Sequence, residues 1–228
     1  MKIGCSTWCL GKMNLEEKLR LIRKAGFELV EAGPGDFPFH GDREWMRGLL
    51  LKNALKLHSY HSRDSLDRED AEKRRTAILN LREEVKLTSS LGGRIVVVHP
   101  VGAEDEEVAK ALTREALDEV LPLAQEEGIL LCLENLPAGL RLEGIYSVLC
   151  EYESPSLRFV LDVGHVFKAY GDGNRVLHEW IYRLKDYLVH LHAEDTGPDG
   201  EGHLSPGDGT TDWKQLLTDL SNIHFSGC

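Results

Sequence analysis

Short apolar runs alternate with amphipathic stretches along the whole chain, and the two have different periods. Segments such as RIVVVHP, GILLCLEN and LRFVLDV are nearly unbroken apolar runs. That is the pattern of strands covered on both faces, as in a parallel α/β sheet. Strands are expected at Lys2–Trp8, Phe27–Gly33, Ala54–Tyr60, Arg94–Pro100, Ile129–Asn135, Leu157–Val163 and Tyr187–Asp195.

The intervening helices carry their own punctuation. Asn14, with Glu17 three residues on, predicts a capping box ahead of EEKLRLIRKA, and Gly26 stops that helix. Asp67 is expected to open a long amphipathic segment ending at Gly92-Gly93. The stretch from Glu104 to Glu127 repeats apolar positions at Val108, Leu112, Ala116 and Val120, then meets Gly128. Thr211 is placed to cap DWKQLLTDL. No linker or low-complexity tract interrupts the pattern, so one domain over residues 1–228 is expected.

Regular β-α alternation leaves two architectures, an open doubly wound sheet or a closed barrel. Polar residues decide between them. A ligand-type residue closes strand after strand: His58, His99, Glu134, Asp162 and His192. In a doubly wound sheet, site residues gather at a switch point; only a barrel converges so many strand ends on one axis. The fold class is therefore α/β, a (β/α)8 TIM barrel. The chain ends at HFSGC, where the seventh helix should feed strand eight. The eighth strand is thus expected to be missing, through truncation or because another chain completes the edge, which leaves a homo-oligomer open.

Composition narrows the partners. With 27 basic and 38 acidic residues among 228, the formal charge is 27 − 38 = −11. Lacking a long basic run, the chain has no extended footprint for nucleic acid or an anionic membrane. The N-terminus MKIGCSTWCL is too short and polar for a signal peptide, and no apolar stretch approaches membrane-spanning length. Cys5, Cys9, Cys132, Cys150 and Cys228 show no CxxC spacing and read as free thiols in a reducing, cytoplasmic setting.

Glu134 carries the most chemistry. A carboxylate pointing inward at the end of a buried strand must be paired, neutralised or metal-bound. Cys132 lies one layer deeper on its face. Asp162 repeats the event on the next strand, and His165 follows across the Gly164 turn. His190 and His192 alternate onto one face; His192 is read as the ligand at the mouth and His190 as a deeper, packed group. The loop EGHLSPGDG adds Glu201 and His203. Imidazoles and carboxylates together suit Zn²⁺ or Mn²⁺, with Co²⁺ or Fe²⁺ as further fits, rather than the all-oxygen sites of Ca²⁺ or Mg²⁺. Trp8 could stack on a sugar ring, and His61 and Asn135 are further candidate substrate contacts.

Taken together, these residues make the chain resemble the xylose isomerase-like barrel superfamily, which contains sugar isomerases, epimerases and endonuclease IV. Glu134, Asp162 and His192 match that family's ligands on strands five to seven, and the DxxH of Asp162 and His165 and the GDGxxDW of Gly207 to Trp213 also match. His58, His99-Pro100, His165 and Glu201-x-His203 match the endonuclease IV branch, although Glu201 stands where that branch has Asp. The resemblance implies one to three ions. One would sit on His58, His99 and Glu134, a second would share Glu134 with Asp162 and His192, and a third would use His165, His203 and Glu201.

Three functions follow. The first is a metal-dependent isomerase or epimerase of a small sugar or phosphorylated sugar, with Glu134 as ligand and acid/base; short loops and an acidic surface favour it. The second is an endonuclease IV-like phosphoesterase with a multinuclear zinc site, favoured by the extra histidines and opposed, for DNA, by the charge. The third is a non-catalytic ligand-binding barrel.

Overall fold

The computed structural model describes residues 1–33, 35–38, 40–62, 66, 70–102 and 105–228. Seven strands form one parallel sheet in chain order: β1 (Gly4–Ser6), β2 (Leu29–Ala32), β3 (Lys56–His61), β4 (Ile95–Val98), β5 (Leu130–Glu134), β6 (Leu157–Asp162) and β7 (Leu188–His192). All pairings between neighbours are parallel. The helices between them are α1 (Leu15–Lys24), α2 (Arg43–Lys52), α3 (Ala71–Ser90), α4 (Glu106–Glu126), α5 (Leu142–Tyr152), α6 (Val163–Ala169), α7 (Gly173–Arg183) and α8 (Trp213–Asn222). This is the TIM-barrel arrangement of strand and covering helix.

Apolar side chains divide into two layers. Val96, Val98, Leu131, Leu133, Phe159 and Leu161 face outward into the main core beneath the helices. Ile95, Val97, Cys132 and Val160 alternate with them and pack inside the curl of the sheet, forming a dry floor. The residues that follow on the inward face, His99, Glu134, Asp162 and His192, therefore stand above that floor. Cys132 does sit one layer beneath Glu134.

Several element ends differ from expectation. β1 stops at Ser6, and Thr7–Leu10 forms a 3-10 turn. There the Thr7 hydroxyl accepts a hydrogen bond from Gly33 N at 2.6 Å, tying the ends of β1 and β2 together. The N-cap of α8 is Asp212, which accepts from Gln215 N at 3.0 Å. Thr211 instead spends its hydroxyl on Asp195 at 2.7 Å. The start of α3 is capped by Asp70, and the expected start at Asp67 lies outside the described residues; so does Glu104, with Asp105 capping α4. Asn14 caps α1 through Glu17 N at 2.9 Å, as expected.

The end of the chain occupies the seam between first and last strands. Lys2 N donates to Gly227 O at 3.0 Å, and Leu191 N donates to Cys228 O at 2.8 Å. The backbone of residues 227 and 228 thus lies beside both β7 and the approach to β1, where an eighth strand would begin. Among the described residues no helix is long and apolar enough to cross a membrane.

Candidate metal centre

Glu134 ends β5 with its side chain 1% exposed, and imidazoles approach both of its oxygens. Toward Oε2 come His61 Nε2 at 3.3 Å and His99 Nε2 at 2.8 Å. Toward Oε1 come His192 Nδ1, donating at 2.8 Å, and His165 Nδ1 at 3.7 Å. Asp162 Oδ2 lies 3.5 Å from His192 Nδ1, and Asp162 Oδ1 lies 3.7 Å from His165 Nδ1. The backbone here is locked by Asn135. Its side chain accepts from Asp162 N at 2.8 Å and donates to Asp162 O at 2.9 Å, while its carbonyl faces His165 Nδ1 at 2.9 Å.

Sequence reasoning passed over Glu31, at the end of β2. It accepts from Ser59 Oγ at 2.9 Å, from His190 Nε2 at 3.1 Å and from His192 Nε2 at 3.2 Å. The signal was there, since Glu31 closes the apolar run LVEA on an inward position just as Glu134 closes its own. His192 has a carboxylate at each nitrogen, which favours positive charge on its ring. Burial opposes that charge, but Glu31 and Glu134 outweigh it and hold its pKa well above the usual imidazole value. Conversely, burial pushes Glu31 and Glu134 up, and the field of His192 with the facing imidazoles brings both well below the carboxylate range.

The arrangement meets a metal's requirements. His99 Nε2 and Glu134 Oε2 are buried and 2.8 Å apart, yet neither has a partner in hydrogen-bond geometry. Buried polar atoms of this kind need an explanation, and two donors aimed past each other are explained by a cation between them. His61, His99 and Glu134 offer ligand atoms mutually within 4.8 Å, and so do Glu134, Asp162 and His165. Nitrogen and carboxylate donors of this mix fit Zn²⁺ or Mn²⁺.

Three expected ligands lie elsewhere. His61 rather than His58 stands beside His99 and Glu134. The reason is a β-bulge: Val30 pairs with Leu57 but Glu31 pairs with Ser59, leaving His58 as the extra residue. The bulge shifts the inward parity of β3 by one, bringing Ser59 and His61 to the site and leaving His58 in a deeper layer. Burial first, then His190, depresses the His58 pKa to about 4. His203, on the loop after β7, is exposed and pairs with Glu194, another residue the sequence did not single out. The Glu201 side chain is also exposed, and among the described residues it joins no donor group. The third ligand set of His165, His203 and Glu201 is therefore not assembled. Glu194 Oε1 is buried without a hydrogen bond and lies 3.9 Å from Lys168 Nζ. Burial and then Asp162 raise its pKa.

Trp8 borders the mouth. Its ring is 5.8 Å from that of His61 and 6.5 Å from that of His203, and the residue is 59% exposed. The GDGxxDW stretch wraps Asp195, which receives Gly207 N at 3.0 Å, Thr211 N at 3.1 Å and Trp213 Nε1 at 2.8 Å. A side chain at Gly209 would strike Asp195 Oδ1, so this position of the motif needs glycine. The motif is scaffolding for the loop after β7.

Comparison with known proteins agrees with this architecture. A family model described as xylose isomerase-like TIM barrel matches residues 19–228. An uncharacterised protein of Methanocaldococcus jannaschii is 26% identical over 167 residues, covering 68% of this chain and 55% of its own length. Among solved structures, a D-tagatose 3-epimerase-like protein superposes with a TM-score of 0.83 at 22% identity, over 100% of this chain and 88% of that one. A 3-keto-D-glucoside 4-epimerase from E. coli gives a TM-score of 0.81 at 18% identity, over 100% and 89%. At these identities the superpositions establish the fold.

Proposed function

As the chain belongs to the xylose isomerase-like TIM barrel family, we propose that it is a metal-dependent isomerase or epimerase acting on a small sugar or sugar phosphate. One observation carries this reading: a buried carboxylate, Glu134, kept ionised at the barrel mouth among His61, His99, His165 and His192. His61, His99, Glu134, Asp162 and His192 would hold the cation. Bound there, it supplies Lewis acidity toward a carbonyl or hydroxyl oxygen of the sugar. Sugar epimerase structures share the fold, which supports a sugar as substrate.

The residues divide the proton chemistry between them. Glu134 is ionised and suited to take a proton from the carbon beside the carbonyl. Glu194 is held above its ordinary range by burial and Asp162, and is suited to give one to the oxygen. Two carboxyls whose environments push their pKa values apart are the usual basis of an acid/base division. Trp8 offers its exposed face to the ring of the sugar.

The test is exchange with solvent. Zinc- or manganese-loaded protein incubated in D₂O with a panel of ketoses, aldoses and their phosphates should place deuterium beside the carbonyl, read by NMR. Glu134→Gln should slow that exchange by about 10²–10⁴-fold, the usual contribution of a positioned base. Absence of exchange with every sugar, alongside turnover of a phosphate ester, would replace this reading with metal-dependent phosphoester hydrolysis. That second reading is favoured by one feature: His61 and His99 give Glu134 a second donor group beside the one it forms with Asp162 and His165. A bridging carboxylate between two cations suits a hydrolytic clamp. The charge of −11 restricts such a substrate to a small ester.

A further inference from the structure

Beneath the Glu134 layer lies a second cluster of ligand-type side chains, built from β3, β7 and the C-terminal segment. His58, His190 and Cys228 offer ligand atoms mutually within 4.8 Å. The two imidazole rings are 5.4 Å apart between centroids. His190 is 5% exposed and uses Nε2 on Glu31, which leaves Nδ1 buried without a partner. His58 Nε2 is buried without a partner as well. Two buried imidazole nitrogens facing one another beside a half-buried thiol are poor neighbours by themselves, since neither nitrogen has a hydrogen bond to offset its burial.

The backbone is arranged to create this cluster. The register of β3 slips at His58, and that of β7 slips between His190 and Leu188, so each strand bulges beside the cluster. A bulge re-aims a side chain at the expense of regular pairing. Glu31 accepts the other nitrogen of His190, the carboxylate–histidine relay that fixes the tautomer of a metal ligand.

We propose that His58, His190 and Cys228 form a second metal site, one layer below the first, for a borderline-soft cation of the zinc class. Two imidazoles and a thiolate are the donors such an ion selects over Mn²⁺ or Mg²⁺. Ligand lengths of about 2.0–2.3 Å set donor atoms about 3.3–3.8 Å apart, so modest side-chain rotation closes the present cluster around an ion. On binding, the thiol proton leaves to solvent, a sulfur–metal bond forms and no electron is transferred. The site stands independently of whether the upper centre isomerises sugars.

The experiment uses Zn²⁺ and Co²⁺ alone with the full chain. Cobalt should produce a thiolate-to-metal charge-transfer band that Cys228→Ala abolishes and His58→Gln weakens. His99→Ala, which belongs to the upper centre, should leave the band in place. Zinc titration against a chromophoric chelator should show one equivalent lost in Cys228→Ala and a different one lost in His99→Ala. In the unaltered protein, zinc should also slow alkylation of Cys228, followed by peptide mass spectrometry, by about tenfold or more, because a metal-bound thiolate is a poor nucleophile. A Cys228 alkylation rate unchanged by zinc, or a cobalt band that survives Cys228→Ala, would overturn the proposal.

Discussion

His99 Nε2 stands 2.8 Å from Glu134 Oε2, and both atoms are buried without a partner in hydrogen-bond geometry. If a cation belongs between them, His99→Ala should lower zinc affinity by more than about 100-fold, beyond the 10–100-fold typical of outer partners. His58→Ala should leave that same affinity unchanged, because His58 lies below the bulge. Chelator competition on the two variants reads both outcomes, and equal losses would remove the distinction between the layers.

Glu31 links the layers through a single oxygen, which receives both His190 and His192. It acts as a positioning residue, fixing the nitrogen of His192 that faces away from Glu134. Glu31→Gln keeps an acceptor but loses the charge, so zinc affinity at the upper centre should fall about 10–100-fold. The metal-free melting temperature should change little by comparison. A large drop in metal-free stability with unchanged affinity would assign Glu31 a purely structural role.

These two residues also mark how far the sequence could be read. Along β4, β5 and β6 the strand-end residues His99, Glu134 and Asp162 were legible, with Cys132 one layer beneath Glu134. The structure sets all three above a floor of Val97, Cys132 and Val160, and β4, β5 and β6 pair with one another in unbroken register. On β3 the sequence pointed to His58, but a one-residue bulge brings His61 rather than His58 beside His99 and Glu134. A bulge leaves no mark in the composition of KLHSYHS, so the strand pattern alone does not reveal it. The loop after β7 failed for another reason. Glu201-x-His203 matched a motif, but the turn held by Asp195 and Leu204 directs His203 to Glu194 and leaves Glu201 in solvent. Spacing along a loop does not fix direction, whereas spacing along a strand does.

Among the described residues the Trp8 ring meets those of His61 and His203, and the residue is 59% exposed, so removing the side chain should cost little stability. If it stacks on the sugar, Trp8→Ala should forfeit about 1 kcal/mol of aromatic contact and raise KM about fivefold with kcat retained. Steady-state kinetics beside a thermal melt separates the outcomes. A loss of melting temperature with KM unchanged would return Trp8 to a packing role.

Asp195 gives the clearest pH dependence. Its carboxylate is buried and takes hydrogen bonds from Thr196 N, Gly207 N, Thr211 N and Oγ1, and Trp213 Nε1. Burial pushes the carboxyl up, but the Trp213 and Thr211 donors outweigh it, and the folded pKa lies well below the ordinary carboxylate value. For a depressed pKa, the stabilisation is fully present above the unfolded value of about 4 and is lost as pH falls toward the folded one. Asp195→Asn presents an amide to the same donors and should cost about 2–3 kcal/mol at neutral pH, in line with hydrogen bonds to a charged group. The gap between the parent and the variant should hold from pH 7 to 5 and narrow below about pH 4 as the parent loses its advantage. Urea melts at a series of pH values would show this, and a gap that stayed constant down to pH 2.5 would mean that the Asp195 charge plays no part in holding the loop.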